Sequence, residues 1–250
     1  MNSLIILPEE CVDASCAVLS GARAGYAYET HGLRAGQRVK AAVLGGLRGE
    51  AFARESAPDR VVLDLLLSTP AREPRPFDLI VGVSRPQTIK KCVQAAVMLG
   101  VRSLHFVRSE KGDKSYLQST ALLEENLREE SIKALEQVWD SRPPQIVVHR
   151  SFRYFCENKL APLVASPEVA KIVAHPCGQG LRAALEGSNP EDDSRHVGAV
   201  VAIGPERGWS EAELALLQTL GFRVVDLGER VLRVEIAITF LLGQLEALLG

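Results

Sequence analysis

Hydrophobic and polar positions follow two different patterns along the chain. In the first seventy residues, short apolar runs at 4–7, 39–44 and 61–67 are separated by glycine-rich turns, which predicts a small, mainly β module. A proline-rich stretch at 71–76 suits neither a helix interior nor a central strand, so it is predicted to be a linker. This divides the chain into a β domain at 1–70 and a larger domain at 77–250.

From residue 78 onward, continuous apolar runs alternate with amphipathic segments. Strands are predicted at 78–83, 101–107, 145–149, 169–174, 197–203 and 222–227. Helices are predicted at 86–99, 119–138, 152–164, 210–220 and 231–249. Buried strands that alternate with helices indicate a parallel sheet covered on both faces, so the expected fold class is α/β.

Composition narrows the class of protein. The 250 residues are 46% hydrophobic and 24% charged, which is typical of a globular chain. The five cysteines form neither a CxxC pair nor a cluster with histidine at zinc spacing, so no metal is predicted. The N-terminus has no signal-peptide pattern and no apolar stretch reaches membrane-spanning length. We therefore expect a cytoplasmic protein without a membrane partner.

The net charge of −2 argues against a protein that coats nucleic acid indiscriminately, but it is a sum of unlike segments. Residues 21–54 hold six basic and two acidic side chains, and residues 85–114 hold seven and two. The compensating acids cluster at 124–136 and 186–193. An ordinary solvated face explains many charge runs, yet two basic segments, one on the β module, favour RNA contact. The candidate RNA-binding residues are Arg23, Arg34, Arg38, Lys40, Arg85 and Lys90.

Three predicted strands end in unusual loops, and ligands of open α/β sheets bind beyond the carboxyl ends of strands. The loops are AHPCG at 174–178, IGPERGWS at 203–210 and LGERVLR at 227–233. In the second loop, Gly204 and Gly208 permit close backbone approach, and Pro205 stiffens the turn. Ser210 and Glu213 form a capping box, which alone indicates only an ordinary βα turn. The crowding of glycines, proline and Glu206 at one strand end favours a ligand site.

Familiar signatures of other classes are missing from the sequence. It contains no GxxxxGK[ST] phosphate loop, no GxGxxG between a strand and a helix, and no GxSxG or HExxH. The glycine-rich run at 45–49 lies in the β module, where a hairpin turn explains it better. Hydrolase, P-loop and nicotinamide-linked functions therefore lose support.

The segments IGPERGWSEAEL at 203–214 and LGERVLRVEIA at 227–237 closely resemble the paired C-terminal motifs of the RsmE-type methyltransferases of the SPOUT superfamily. His175-Pro176 and Leu135-Glu136-Gln137 fit the same pattern. The resemblance implies a PUA-like β-barrel domain and a parallel sheet with a C-terminal trefoil knot, an exception to unknotted topology. It also implies S-adenosylmethionine bent among the three loops, methylation of N3 of a specific uridine in 16S ribosomal RNA, and a homodimer.

The resemblance also assigns roles to individual residues. Glu235 is the candidate base or orienting group, and Arg233 or Arg230 is expected to stabilise the uracil anion or to hold a phosphate. An Arg–Glu pair that fixes the helix start is the structural alternative for Glu235. The expected cofactor-binding residues are His175, Pro176, Ile203, Gly204, Pro205, Glu206, Gly208, Leu227, Gly228, Val231, Leu232 and Arg233.

Three departures from the family pattern keep alternatives open. Arg207 stands where a second glycine is commoner, and Val234 and Ile236 replace residues that are often threonine. The alternatives are another SPOUT activity, such as methylation of tRNA, and a catalytically silent RNA-binding homologue. Nicotinamide-linked chemistry on a doubly wound sheet is discouraged by the missing fingerprint.

Overall fold

Short alternating strands build the first part of the fold, as the spacing of apolar residues predicts. The computed structural model describes residues 3–186 and 196–249. Its first five strands are β1 (Leu4–Ile6), β2 (Cys16–Ser20), β3 (Arg38–Val43), β4 (Arg48–Ser56) and β5 (Arg60–Thr69). They form one sheet in the order β1-β3-β4-β5-β2, in which β1 and β3 are parallel and the other pairs antiparallel. A hairpin turn joins β3 to β4 at the glycine-rich run, as predicted.

This sheet is curled into a half-barrel, which agrees with the β-barrel type of domain that was predicted. Its edge strands β1 and β2 have only three and five residues, and within the described residues they do not pair with each other. The inner face buries a compact apolar core that includes Leu4, Leu19 and Leu63. The helical segments Gly21–Gly25 (α1) and Tyr26–Thr30 follow β2 and add Ala24 and Ala27 to the core.

The chain divides into two units, and the first of them is discontinuous. It comprises Met1–Glu73 together with Ser131–Pro143, which contains the end of helix α3 (Glu124–Val138). Glu136 attaches the segment 131–143 to the rest of the first unit, because its carboxylate accepts hydrogen bonds from Ile5 N (3.3 Å) and the Tyr26 hydroxyl (2.8 Å). Burial and that carboxylate raise the pKa of Tyr26 to about 12. The sequence predicted one boundary at 71–76 because the helical pattern runs unbroken across residue 130.

The second unit, Pro74–Glu130 and Pro144–Gly250, contains the predicted α/β sheet. Its strands are β6 (Arg75–Gly82), β7 (Val101–Val107), β8 (Gln145–His149), β9 (Val169–Gln179), β10 (Gly198–Ile203) and β11 (Arg223–Val225). All are parallel, in the order β11-β9-β10-β6-β7-β8. The remaining helices are α2 (Pro86–Met98), α4 (Phe152–Asn158), α5 (Leu181–Glu186), α6 (Glu211–Thr219) and α7 (Val234–Leu249). The trefoil knot stays a prediction.

Several element boundaries differ from those the sequence predicted. Strand β6 begins at Arg75, so two residues of the predicted linker belong to the sheet, and Arg75 N donates to Gly100 O (2.8 Å). Helix α4 ends at Asn158 and not at 164, because Pro162 disfavours the helical conformation before it. Helix α7 begins at Val234, three residues late. Most of the second acidic cluster, 187–193, lies outside the described residues.

A chain of buried polar groups crosses β6, β7 and β8. The Ser103 hydroxyl donates to Asp78 Oδ1 (2.6 Å) and lies 3.0 Å from His105 Nε2. His105 Nδ1 lies 3.0 Å from His149 Nε2. The Ser103 hydroxyl donates its proton to Asp78, so it accepts from Nε2 of His105. Nδ1 of His105 then accepts from Nε2 of His149. Each ring carries one proton, on Nε2, and both histidines are therefore neutral. Arg102 closes the far end by pairing with Asp78.

These hydrogen-bonded polar groups predict that the protein is destabilised at mildly acidic pH. Burial, then the neighbouring His149 ring, lowers the pKa of His105 to about 4, while Asp78 opposes the shift. An unfolded histidine takes up its proton near pH 6.5. The contribution of neutral His105 to the free energy of unfolding is therefore complete above about pH 6.5. It is lost as the pH falls from 6.5 to 4, which lowers the free energy of unfolding by on the order of 3 kcal/mol. Urea unfolding at pH 7.0, 5.5 and 4.5 measures it.

His105→Gln is the matched variant for that measurement. It is expected to be less stable at pH 7 and to lose less stability on acidification than the native chain. A pH dependence of unfolding that is identical in the two proteins would contradict the assignment.

Candidate active site

Strand β9 contains an excursion at the point where the sequence predicted its end. Val224 of β11 pairs with Val173, but the next residue, Val225, pairs with Gln179. Residues 174–178 therefore bulge out of the ladder between two successive positions of β11. His175 and Pro176 lie in this bulge and not in a loop beyond the strand, because the strand resumes and continues to Gln179.

Gly178 closes the bulge through a backbone contact that tolerates no side chain. A Cβ atom built on Gly178 would lie 2.5 Å from Asp226 N and closer still to the carbonyl carbon of Val225. Asp226 N donates to Gln179 O (2.9 Å) just beside it. The first and third predicted loops are thus joined, backbone against backbone, at the carboxyl ends of β9 and β11.

His175 has one nitrogen engaged inside the bulge. Its Nδ1 lies 2.9 Å from Cys177 Sγ and accepts from Cys177 N (3.3 Å). With Nδ1 acting as acceptor, the neutral ring carries its proton on Nε2. The His175 side chain therefore presents a donor at Nε2, while Pro176 and Cys177 are exposed beside it.

The loop after β10 is a closed turn. Gly208 has φ +71° and its N–H donates to Pro205 O (2.7 Å). A Cβ on Gly204 would lie 2.9 Å from Gly208 Cα, so the turn needs glycine at that position. Arg207 is exposed and does not have a positive φ, so its replacement of the commoner glycine leaves the turn intact.

Glu206 holds this turn against the start of α2. Its Oε1 accepts from Arg85 N (3.1 Å) and from the Thr88 hydroxyl (3.1 Å). The sequence assigned Glu206 to the cofactor, and that contact stays a prediction beside the structural role found here.

Glu213 completes the predicted capping box and also reaches beyond it. Its buried carboxylate accepts from Ser210 N (2.9 Å), the Ser109 hydroxyl (2.9 Å) and Glu110 N (2.8 Å). It therefore ties the start of α6 to the end of β7. Sequence reasoning missed the second tie because its partners lie about a hundred residues away and carry no motif.

The third loop is open to solvent. Val231 is 91% exposed, and Arg230 and Arg233 are exposed with no ion pair in the described part of the chain. The Arg233 carbonyl accepts from Ile236 N (3.0 Å) and Ala237 N (2.8 Å), so its backbone begins α7 while its side chain is unengaged. An exposed apolar side chain beside two unpaired arginines is an arrangement that suits a ligand with a flat ring and a negative charge.

Glu235 lies in the first turn of α7, where the helix dipole favours a carboxylate. Its Oε1 lies 3.3 Å from Lys91 Nζ on α2, and the side chain is only 12% exposed. The Arg–Glu pair considered as the structural alternative is thus not formed, because the partner is a lysine of another helix. The two neighbours that depart from the family pattern differ: Val234 is buried and Ile236 is half-exposed.

Most predicted RNA-binding cations have internal partners. Arg23 pairs with Glu10 (2.9 Å), Arg38 with Glu50 (3.6 Å) and Lys90 with Glu130 (3.4 Å). The Arg34 guanidinium lies 3.7 Å from the centre of the Tyr28 ring, and Lys40 Nζ lies 4.4 Å from the centre of the Trp139 ring. Of the six, only the side chain of Arg85 has no partner in the described residues.

The residues of the three loops fit S-adenosylmethionine. Gly208 and Gly228 have left-handed backbones, and no atom lies within 4 Å of a Cβ built on either, so open space adjoins bare backbone at both turns. Exposed Val231 adds apolar surface for an adenine ring. Within residues 3–186 and 196–249, no group of three or more His, Cys, Asp or Glu residues is placed to hold a metal. No helix among them is long and apolar enough to cross a membrane.

Comparisons with known proteins agree with this geometry. The family model described as RNA methyltransferase domain matches residues 71–246. The chain is 32% identical over 244 residues to the ribosomal RNA small subunit methyltransferase E of Treponema pallidum, covering 95% of this chain and 87% of that protein. It is 24% identical over 246 residues to its namesake from Synechocystis, covering 98% and 77%.

The fold is similar to solved structures of the same kind. A ribosomal RNA small subunit methyltransferase E from Neisseria gonorrhoeae, solved bound to S-adenosyl methionine, has a TM-score of 0.77. It is 21% identical, and the match covers 99% of this chain and 98% of that one. Both units of the fold therefore have counterparts in known structures.

Proposed function

Because the chain belongs to the RNA methyltransferase domain family, as an RsmE-type member, we propose that it methylates N3 of one uridine in 16S ribosomal RNA with S-adenosylmethionine. The proposal rests on the shared edge where the parallel strands β9, β10 and β11 end, because each of the three glycine-containing segments lies at that edge. A cytoplasmic location is part of the proposal, since ribosomal RNA is the substrate.

The three loops would hold the cofactor through backbone and apolar groups. His175 and Pro176 come from the bulge of β9, and the turn after β10 contributes Ile203, Gly204, Pro205, Glu206 and Gly208. The third loop adds Leu227, Gly228, Val231, Leu232 and Arg233. When bound, S-adenosylmethionine supplies a methyl group on a sulfonium, which a nitrogen displaces in line.

The side chains of the site would manage the proton and the charge of the uracil ring. N3 of uridine carries a proton, and the Glu235 carboxylate accepts it or orients the ring. Lys91, 3.3 Å from that carboxylate, fixes its position. Arg233 and Arg230 stabilise the negative charge that develops on the uracil oxygens when N3 loses its proton.

The test is methyl transfer to defined RNA. Purified protein is incubated with S-adenosylmethionine and either 16S ribosomal RNA or small subunits from a strain that lacks this gene, and the digested RNA is analysed by mass spectrometry. One N3-methyluridine is the expected product. Methylation of tRNA alone would replace the substrate, and RNA binding without any binding of S-adenosylmethionine in calorimetry would identify a silent homologue.

An exposed apolar stripe on α7 supports a homodimer as part of this proposal. The stripe consists of Ile236, Phe240, Gly243 and Ala247, all exposed and spaced by three or four residues. Two large apolar side chains, Ile236 and Phe240, beside small residues on the same helix face favour an association surface. A second copy of the chain offers the same stripe, which is the self-complementary arrangement of a twofold dimer.

Phe240→Glu is expected to convert the dimer into a monomer, because it places two charges against each other at the centre of the interface. Sedimentation velocity at micromolar concentration measures the change. Leu66→Glu, at an even more exposed apolar position on β5, is the control and should leave the mass unchanged. If Phe240→Glu sediments like the unmodified protein, the stripe is not the interface.

A further inference from the structure

An arginine follows five of the six strands of the parallel sheet, within five residues of the strand end. These residues are Arg85 after β6, Arg108 after β7, Arg150 after β8, Arg207 after β10 and Arg230 after β11. All five are exposed. Because the carboxyl ends of parallel strands share one edge, the sheet order places them there in the sequence Arg230, Arg207, Arg85, Arg108, Arg150. We call this set the arginine row.

The arginine row is not neutralised by the chain itself. None of its five guanidinium groups forms an ion pair with a described residue. The acids nearest the row are engaged elsewhere: Glu206 with Arg85 N and Thr88, and Glu213 with three donors. Glu110, Asp113 and Glu229 are also exposed at this edge, and Asp113 interacts electrostatically with Arg207. Lys111 and Lys114 offset two of these three negative charges. The edge therefore has an excess of positive charge.

The first unit shows the opposite arrangement. Several of its exposed arginines are paired with acids: Arg38 with Glu50 (3.6 Å), Arg54 with Asp64, Arg60 with Glu55 (3.8 Å) and Arg142 with Glu73 (2.9 Å). The side chains of Arg34 and Arg72 donate to backbone carbonyls instead. An arginine that is already paired gains less from a phosphate, because the existing pair must first be broken. Exposed arginines with no side-chain partner in the described residues are therefore concentrated on the second unit, at the carboxyl edge of its sheet.

The dimensions of the arginine row match a short stretch of RNA. Neighbouring strands lie about 4.8 Å apart, so the four strands from β10 to β8 span roughly 14 Å. At about 3.4 Å per nucleotide in a stacked strand, that length holds about four nucleotides. A groove of about 480 Å³ adjoins the β8 end of the row; it is lined by Arg108, Phe152 and Arg153 among others, and Arg153 is paired with Glu157 (2.7 Å).

We propose that the arginine row binds the phosphates of a single-stranded segment of ribosomal RNA beside the target uridine. This inference rests on the proposed function and assigns RNA binding to the second unit, in addition to the cofactor. Guanidinium groups suit phosphate because they donate two parallel hydrogen bonds and keep their charge at any physiological pH.

The experiment compares two triple variants in binding to a single-stranded 16S-derived oligonucleotide that contains the target uridine. Arg85→Ala, Arg108→Ala and Arg150→Ala remove the part of the row that lies outside the proposed cofactor loops. Arg54→Ala, Arg60→Ala and Arg142→Ala remove three exposed, paired arginines as the matched control. The first triple is expected to bind at least about tenfold more weakly, with a salt slope reduced by about 2, or about 0.7 for each lost phosphate contact.

Further arms keep the outcomes distinct. Lysine at the same three positions retains the charge and should restore most of the affinity, and each single alanine variant is measured in case the triple unfolds. Equal losses in both triples, or a larger loss in the control, would overturn the proposal. Binding needs no turnover, so a native chain that binds the oligonucleotide and transfers no methyl group would refute the proposed function alone. Normal binding by the first triple in an active enzyme would refute the arginine row alone.

Discussion

Arg233→Ala is expected to lower the rate of methyl transfer by about 10²–10³-fold, the cost of removing one group that stabilises developing negative charge. The side chain is exposed and has no partner in the described residues, whereas its backbone carbonyl begins α7 and is unaffected by the change. Single-turnover methylation at saturating S-adenosylmethionine measures the loss. The temperature of unfolding should remain that of the unmodified protein.

Two further measurements locate the effect of Arg233. Arg233→Lys retains a charge but loses the two-pronged geometry, so its rate is expected to lie between those of the native chain and the alanine variant. Calorimetry with S-adenosylmethionine separates the two roles assigned to this residue. A loss confined to cofactor affinity would make Arg233 a cofactor contact, and near-normal turnover would remove it from the site.

Gly178→Ala is expected to abolish cofactor binding and to destabilise the second unit. The new Cβ would lie 2.5 Å from Asp226 N, and this backbone atom cannot move aside as a flexible side chain could. Relief requires that β9 and β11 separate, at a cost of about 1–3 kcal/mol for overpacking. Separation also displaces the first and third loops from each other. Thermal unfolding and calorimetry with S-adenosylmethionine measure the two effects.

Gly180→Ala is the matched control, two residues further along the same segment. No atom lies within 4 Å of a Cβ built on Gly180, and its φ is not positive. Its stability and cofactor affinity should stay close to those of the native chain. If the two alanine variants behaved alike, the backbone contact at Gly178 would not be what shapes the site.

The parallel sheet and the loops after β10 and β11 could be predicted from the sequence because both depend on local patterns. A continuous apolar run such as that of β10 is buried on both faces, and a capping box is complete within four residues. The bulge in β9 could not be predicted, because it depends on where Val225 pairs. The spacing of apolar residues along a strand does not show which residue of the neighbouring strand each one pairs with.

Charge counts along the chain do not show which basic side chains are already paired with acids. The segment at 21–54 has a net positive charge in the sequence, but Arg54 is paired with Asp64 of the neighbouring strand β5, which lies outside the segment. Arg23 is paired with Glu10, which precedes the segment. These pairs arise from strand order, so a count within one segment does not detect them. The arginine row has the converse property, since its members are far apart in sequence and meet only through the sheet order.

The excursion of β9 has a consequence for how this enzyme can diversify. Both ends of the bulge are anchored in one ladder, at Val173 and at Gln179, so residues 175–177 can be exchanged without a shift of the core. In such a sheet, the paired strand residues stabilise the fold, whereas the inserted residues would contact the ligand and determine which ligand binds. Replacement of residues 175–177 is therefore an economical way, in evolution or in the laboratory, to change which ligand the same scaffold accepts.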